Sequence, residues 1–221
     1  MSDSLIPNRF LFRFSLPCLY RDSLWNAEGA GLEERFRLAN LGELEGRHAI
    51  ADVRAAWNRS GLVFSVQVQG KLQAPWCRET KPEDSDCFQV WIDTRDVHNV
   101  HRAGRYCHRL LFLPVGAGQR LDEPTAQWLS INRAKEHPRP IQTKQLKLHG
   151  KKQTDGYLLE AYVPGEILTG FDPQEHPRLG FTYAVIDREL GEQTLTVGSP
   201  MPYQEDPSLW ATLELVKSEE K

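Results

Sequence analysis

Short runs that alternate apolar and polar residues recur along this chain, each closed by glycine, proline, asparagine or aspartate, while helical periodicity is almost missing. That pattern restricts the fold to strands with one face buried. The clearest run is "GLVFSVQVQG", with Leu62, Phe64, Val66 and Val68 on one side and Ser65, Gln67 and Gln69 on the other. Just before it, "ADVRAAWN" repeats the alternation through Val53, Ala55 and Trp57, and "NRSG" supplies a turn, so the two runs predict a hairpin with a longer loop. Further strands are expected at residues 10–16, 87–92, 109–115, 141–149, 157–163, 179–187, 193–197 and 210–216. About ten strands at this spacing predict an all-β chain of two stacked antiparallel sheets. Helix is expected only as short turns in loops. "PGEILTGF" (164–171) carries Pro164 at its start, Glu166 in its first turn and Gly170 at its end.

A sandwich of 221 residues can be one domain. No linker, repeat or low-complexity tract interrupts it, and the proline-rich "EHPRPI" (136–141) is too short to be more than a surface loop. We expect a single domain over residues 1–221. The net charge of −3 argues against a nucleic-acid partner, which needs a basic excess on one face. No run of 18 apolar residues is present to span a membrane. The start, "MSDSLIPNRFLFRF", has no basic n-region and no unbroken apolar core, so a cytoplasmic chain is expected. Its four cysteines, Cys18, Cys77, Cys87 and Cys107, are irregularly spaced and would stay as thiols in a reducing compartment.

The segment "DCFQVWIDTRD" (86–96) is the most informative. Phe88, Val90 and Ile92 form its inward set, so Cys87, Gln89 and Trp91 point to the other face. A tryptophan beside an amide on an open sheet face can hold a sugar, the ring stacking on the pyranose C–H face while the amide bonds hydroxyls. The same alternation also suits a face covered by loops or by the N-terminal segment, with Trp91 as a second layer of core.

Together with this strand, an ordered set of segments resembles the family 9 carbohydrate-binding modules and their DOMON-like relatives. They are "ADVRAAWNRSGLVFSVQV", "EDSDCFQVWIDTRD", "YCHRLLFLPVG", "GYLLEAYVPGEIL", "LGFTYAVIDREL" and "DPSLWATLEL", covering about residues 45–216. The resemblance implies a jelly-roll sandwich, no catalysis, binding of a small sugar or glycan end, and structural calcium in some members. Carried over by position, Gln89 takes the place of a polar contact, and Arg109 or His108 that of a basic one. Glu160 and Tyr162 are expected as neighbours, with Trp76 at the rim. The family's two clamping tryptophans have no counterpart: "KPEDS" stands in one place, with Trp76 several residues early, and "TVGSPMPY" in the other, where Tyr203 is the aromatic.

Two other partner classes are compatible with these residues. A protein-interaction or scaffold domain would use the same aromatic face without a sugar. A metal-dependent enzyme would draw on the loop from His98 to His108, where His101, Asp93, Asp96 and Cys107 also fall. There Arg95, Arg102 and Arg105 raise the cost of a nearby cation. Calcium would find oxygen ligands at Glu83, Asp84 and Asp86. A glycosidase needs two facing carboxylates, and Glu160 has no predictable partner. No G-x-S-x-G elbow or phosphate-cradling loop is present. Haem ligation by Met and His would depend on Met201, apart from Met1 the one methionine.

Overall fold

Residues 51–69 form a tighter hairpin than their sequence suggests. Strand β2 (Ala51–Asn58) pairs with β3 (Gly61–Gln69), and Asn58 faces Gly61, leaving only Arg59 and Ser60 as the turn. The Asn58 side-chain oxygen accepts from the Ser60 N–H at 2.8 Å and from its hydroxyl at 2.6 Å, closing the turn locally. Gly61 has φ 151°, and a Cβ there would fall 2.2 Å from the Val163 carbonyl, so no side chain fits.

The structure, a computed structural model, describes residues 10, 12–199 and 201–217. The remaining strands are β1 (Ser15–Tyr20), β4 (Cys87–Asp93), β5 (Cys107–Ala117), β6 (Glu123–Leu129), β7 (Lys147–Gln153), β8 (Gly156–Pro164), β9 (Arg178–Asp187), β10 (Gly191–Thr194) and β11 (Ala211–Val216). Among the described residues all helix is in short 3-10 turns, including Gly165–Ile167 where a helical turn was expected. The all-β expectation holds. The first strand starts later than expected, at Ser15 rather than residue 10, and Leu11 of that forecast lies outside the described residues. The strand expected at 141–149 is replaced by a 3-10 turn, Thr143–Gln145, followed by β7, and β6 has no clear signal in the sequence because Pro124 interrupts its pattern.

Pairing runs as one path of strands, β6-β5-β4-β9-β11-β1-β2-β3-β8-β7, with β10 added to β9. Hydrogen bonding therefore gives one continuous sheet rather than two separate ones. β1 is also parallel to both β2 and β11, so the sheet is not purely antiparallel. The crossover that a parallel pair requires is residues 21–50.

The sheet curls until its two halves face each other. Phe64 on β3 stacks on Phe181 of β9 at 5.8 Å and meets Phe88 of β4 at 5.9 Å, although four steps along the path separate β3 from β9. Each such buried ring contributes about 1.5–3 kcal/mol relative to its exposed state, so this contact outweighs any single surface pairing. The edge strands β6 and β7 come side by side. A Cβ on Gly150 of β7 would lie 3.2 Å from the Pro124 ring of β6. Pro124 has no N–H to offer, which helps keep these edges from zipping.

Both faces of the sheet are covered. Outside β2, β3 and β8, the crossover lays Leu24, Ala30, Leu32 and Phe36 over Ala56 and Val63. Outside β4 and β9, Tyr203, Trp210 and Val197 cover Trp91 and Ala184. All seven residues of β4 are buried.

Candidate functional site

Parity in β4 is as the alternation predicts. Phe88, Val90 and Ile92 enter the main core, while Cys87, Gln89 and Trp91 point outward. On β5 the register puts Arg109 opposite Trp91. Strand alternation then sends Arg109 to the same outer face, with Leu111 and Leu113, and His108 to the core side with Leu110 and Phe112.

Arg109 is the centre of the outer cluster. Its Nη2 donates to Gln89 Oε1 at 2.7 Å and to Glu83 Oε1 at 2.6 Å, and its Nε reaches Gln89 Oε1 at 3.3 Å. The guanidinium lies 5.1 Å from the centre of the Trp91 ring, a cation–π arrangement. Trp91 also receives the Tyr203 ring edge-on at 5.4 Å. Tyr203 is pinned from both ends: its hydroxyl donates to Glu192 Oε1 at 2.7 Å, and its carbonyl accepts from Trp210 Nε1 at 2.7 Å. The Arg109 side chain is 6 % exposed, whereas that of its partner Glu83 is 57 % exposed. The cluster thus has a buried guanidinium whose outer partner, Glu83, faces solvent.

The expectation of an open aromatic platform is corrected here. Trp91 is fully buried and Gln89 is 1 % exposed, because Arg109, Tyr203 and the segments that carry Trp210 and Glu83 roof the face. His108 is corrected too. It lies in the core with its Nε2 accepting from the Thr169 N–H at 3.0 Å, and burial pushes its pKa down to about 4. Glu160 and Tyr162 are not neighbours of Gln89. They sit on β8 beyond β3, on the outer face of the other half. Glu160 is 2 % exposed and accepts from the backbone N–H groups of Ala30 at 3.1 Å and Gly31 at 2.9 Å, with His149 Nδ1 at 3.0 Å. It latches the crossover down. Tyr162 packs near Trp25 at 6.5 Å. Trp76 is half-buried at the start of the segment leading to β4, with the guanidinium carbons of Arg188 and Arg78 at 4.0 and 4.6 Å from its ring centre.

The metal-ligand candidates do not converge. His98 Nε2 bonds Asp96 at 2.7 Å and meets Thr212 Oγ1 at 3.0 Å, while His101 Nδ1 faces Asp206 at 3.0 Å. Glu83 is taken by Arg109, Asp84 is exposed, and Asp86 is buried in a different role. Among the described residues no three His, Cys, Asp or Glu side chains form a group able to hold a metal ion. The residues present do not fit a calcium cage either, because the oxygen ligands expected to share one cation serve different partners.

Sequence reasoning missed Lys71. Its ammonium is buried between Asp187, at 2.6 and 2.7 Å, and Asp86 at 3.1 Å. Burial alone would lower the Lys71 pKa, but the two carboxylates outweigh it and hold it above the usual value. Asp86 also accepts from the N–H groups of Trp76 and Arg188, and Asp187 from those of Glu189 and Leu190. One buried cation therefore ties the roofing segment to the β9–β10 turn. Nothing in "QGKLQ" signals this, since a lysine after a strand is ordinarily solvated. Burial also pushes the thiols of Cys77, Cys87 and Cys107 up to about 12, which leaves them protonated and poorly nucleophilic.

The fold of this curled sheet is similar to that of carbohydrate-binding modules of family 9. Two solved structures of such a module from Caldicellulosiruptor kristjanssonii superpose on nearly the whole chain. The one in complex with cellotriose has a TM-score of 0.62 at 11 % identity, covering 94 % of this chain and 96 % of that one. The one in complex with glucose has a TM-score of 0.60 at 11 % identity, covering 94 % and 98 %. A Bacteroides uniformis protein assigned to carbohydrate binding follows at 0.54 and 10 % identity, covering 93 % and 100 %. No family model matches the sequence, and neither does any curated protein. At such identities the likeness establishes the fold.

Proposed function

We propose that this chain is a single-domain, non-catalytic binding module that takes a small neutral sugar or glycan end at the mouth of the Gln89–Arg109 cluster. The observation that carries the reading is the state of Arg109. A guanidinium that is buried, oriented by Gln89 and stacked on Trp91 is a preorganised donor, and only a half-exposed carboxylate, Glu83, stands between it and solvent. Sugar hydroxyls would bond Arg109 and Glu83, with Trp76 at the rim. Trp91 supports the guanidinium from below instead of stacking on the ligand. The solved modules of the same fold, named as complexes with cellotriose and glucose, support this choice of ligand class.

A calorimetric titration with glucose, cellobiose and a panel of other mono- and disaccharides tests it. Binding in the millimolar range is expected, as a site without a ring clamp has few contacts. No heat from any of them, at protein concentrations able to detect millimolar affinity, rejects the sugar reading.

The complete burial of Trp91 counts against the scaffold reading as well, because the aromatic face a partner chain would have met is roofed over. The four cysteines are free, which supports a reducing, cytoplasmic setting. Among the described residues no helix is long and apolar enough to cross a membrane.

A further inference from the structure

The loops 94–106 and 131–141 are far apart in sequence but dock on each other. The N–H of Lys135 donates to the Ala103 carbonyl at 2.7 Å, and Arg102 Nε donates to the Arg133 carbonyl at 2.7 Å. Together they carry Arg95, Arg102, Arg105, Arg133, Lys135 and Arg139 against only Asp96 and Glu136, in a chain whose net charge is −3. Asp96 is already occupied by His98 and Arg178. Arg105, Lys135 and Arg139 are exposed and pair with no carboxylate among the described residues. This is a local cationic excess on an acidic protein.

Between these loops and the turn after β8 lies a groove of about 610 Å³, whose lining includes Arg105, Tyr106, His137, Arg139 and Gln145. Its walls are stiff. Arg139 stands between Pro138 and Pro140, so its own backbone is biased to an extended form and both flanking φ angles are locked. Pro138 and Ile141 are buried, which fixes that wall to the body. The opposite wall is held by Arg95, whose Nη1 donates to the carbonyls of Thr94 and Gly170 at 3.0 and 2.6 Å, and by the Thr94 hydroxyl donating to the Thr169 carbonyl at 2.7 Å. Arg95 and Arg105 lie 4.4 and 5.0 Å from the centre of the Tyr106 ring. One carboxylate, Glu166, also lines the groove.

We propose that this groove is a second ligand site, for a saccharide whose rings carry carboxylate or sulfate groups. Arginine forks match such oxyanions with paired hydrogen bonds. The exposed Pro140 beside Arg139 gives the groove an apolar surface for the C–H face of a sugar ring, which a phosphate chain does not offer, while the Tyr106 ring is taken up by Arg95 and Arg105. The choice of a saccharide over other polyanions rests on the sugar-binding reading of the fold, but the residues are separate from the Gln89–Arg109 cluster.

Affinity electrophoresis in gels containing polygalacturonate, heparin or inorganic polyphosphate tests it, alongside calorimetry with cellobiose. The protein is expected to be retarded by polygalacturonate, by heparin or by both, which identifies carboxylate or sulfate as the recognised group. Retardation should exceed that by polyphosphate and weaken as salt rises. The double variant Arg105→Gln/Arg139→Gln should bind about tenfold more weakly, while its cellobiose binding and melting temperature stay as in the parent. No retardation at low salt, an unchanged double variant, or equal retardation by polyphosphate overturns the groove. Retardation by the acidic glycans without heat from any neutral sugar of the panel removes the Gln89–Arg109 reading and leaves the groove standing.

Discussion

The guanidinium of Arg109 lies 5.1 Å above the Trp91 ring because the two residues face each other across neighbouring strands. The pairing turns an aromatic platform into a support. Trp91 holds a cation in place, and the cation, with Glu83 over it, becomes the group nearest solvent.

Removing the cation should therefore cost more than removing its cap. Arg109→Met leaves the Gln89 carbonyl buried without its donor and is expected to destabilise the fold by about 2 kcal/mol. Glu83→Gln, whose side chain is 57 % exposed, should cost less than about 1 kcal/mol. Urea denaturation midpoints at neutral pH give both values. Equal costs would mean that Glu83 is a structural member of the cluster and not a movable cap.

Lys71→Met should be the most damaging single change near the site. It leaves Asp86 and Asp187 buried without a counter-charge, a loss of about 3–5 kcal/mol by comparison with other broken buried pairs. Thermal unfolding reads the effect. A variant as stable as the parent would show that water reaches these carboxylates.

His108 gives a pH dependence with a definite sign. Its folded pKa is depressed to about 4 from 6.5, so between those values the unfolded chain binds a proton that the folded chain refuses. The stability it contributes is present above pH 6.5 and declines as pH falls towards 4, by roughly 3 kcal/mol in all. Protonation would also set a second donor against the Thr169 N–H. His108→Gln should flatten this part of the stability profile, and an unchanged profile would place the titration elsewhere.

Gly29→Ala tests the latch on the other half. Gly29 has φ 108°, and a Cβ there would fall 2.1 Å from Glu160 Oε2. The substitution should cost about 2 kcal/mol and expose the crossover to limited proteolysis between residues 21 and 36. Unaltered proteolysis would mean that Leu24, Leu32 and Phe36 hold the crossover without the carboxylate.

Much of the architecture was legible in local alternation. Phe64, Phe88 and Phe181 all lie on the faces that period two assigns to the core, and the hairpin at 51–69 is where its glycine and asparagine place it. The merging of two expected sheets into one was not, because the link is β1 lying parallel to β2 and β11, a pairing between residues far apart in sequence. The site was half legible. Alternation put Gln89 and Trp91 on one face, and the register adds Arg109, but nothing local says that Tyr203 and Glu83 fold over that face from distant loops. The neighbour assignment of Glu160 failed for the same reason, as five steps along the pairing path separate β8 from β9.

Sugar binding at the Gln89–Arg109 cluster is read site by site in a cellobiose and glucose titration of the 15N-labelled protein followed by NMR. Saturable shifts of the Arg109 Nε–H and Gln89 side-chain amide signals are expected, with smaller ones at the Trp76 indole. Spectra that do not move, or shifts confined to the other half of the sheet around Glu160 and Tyr162, would rule out a site there.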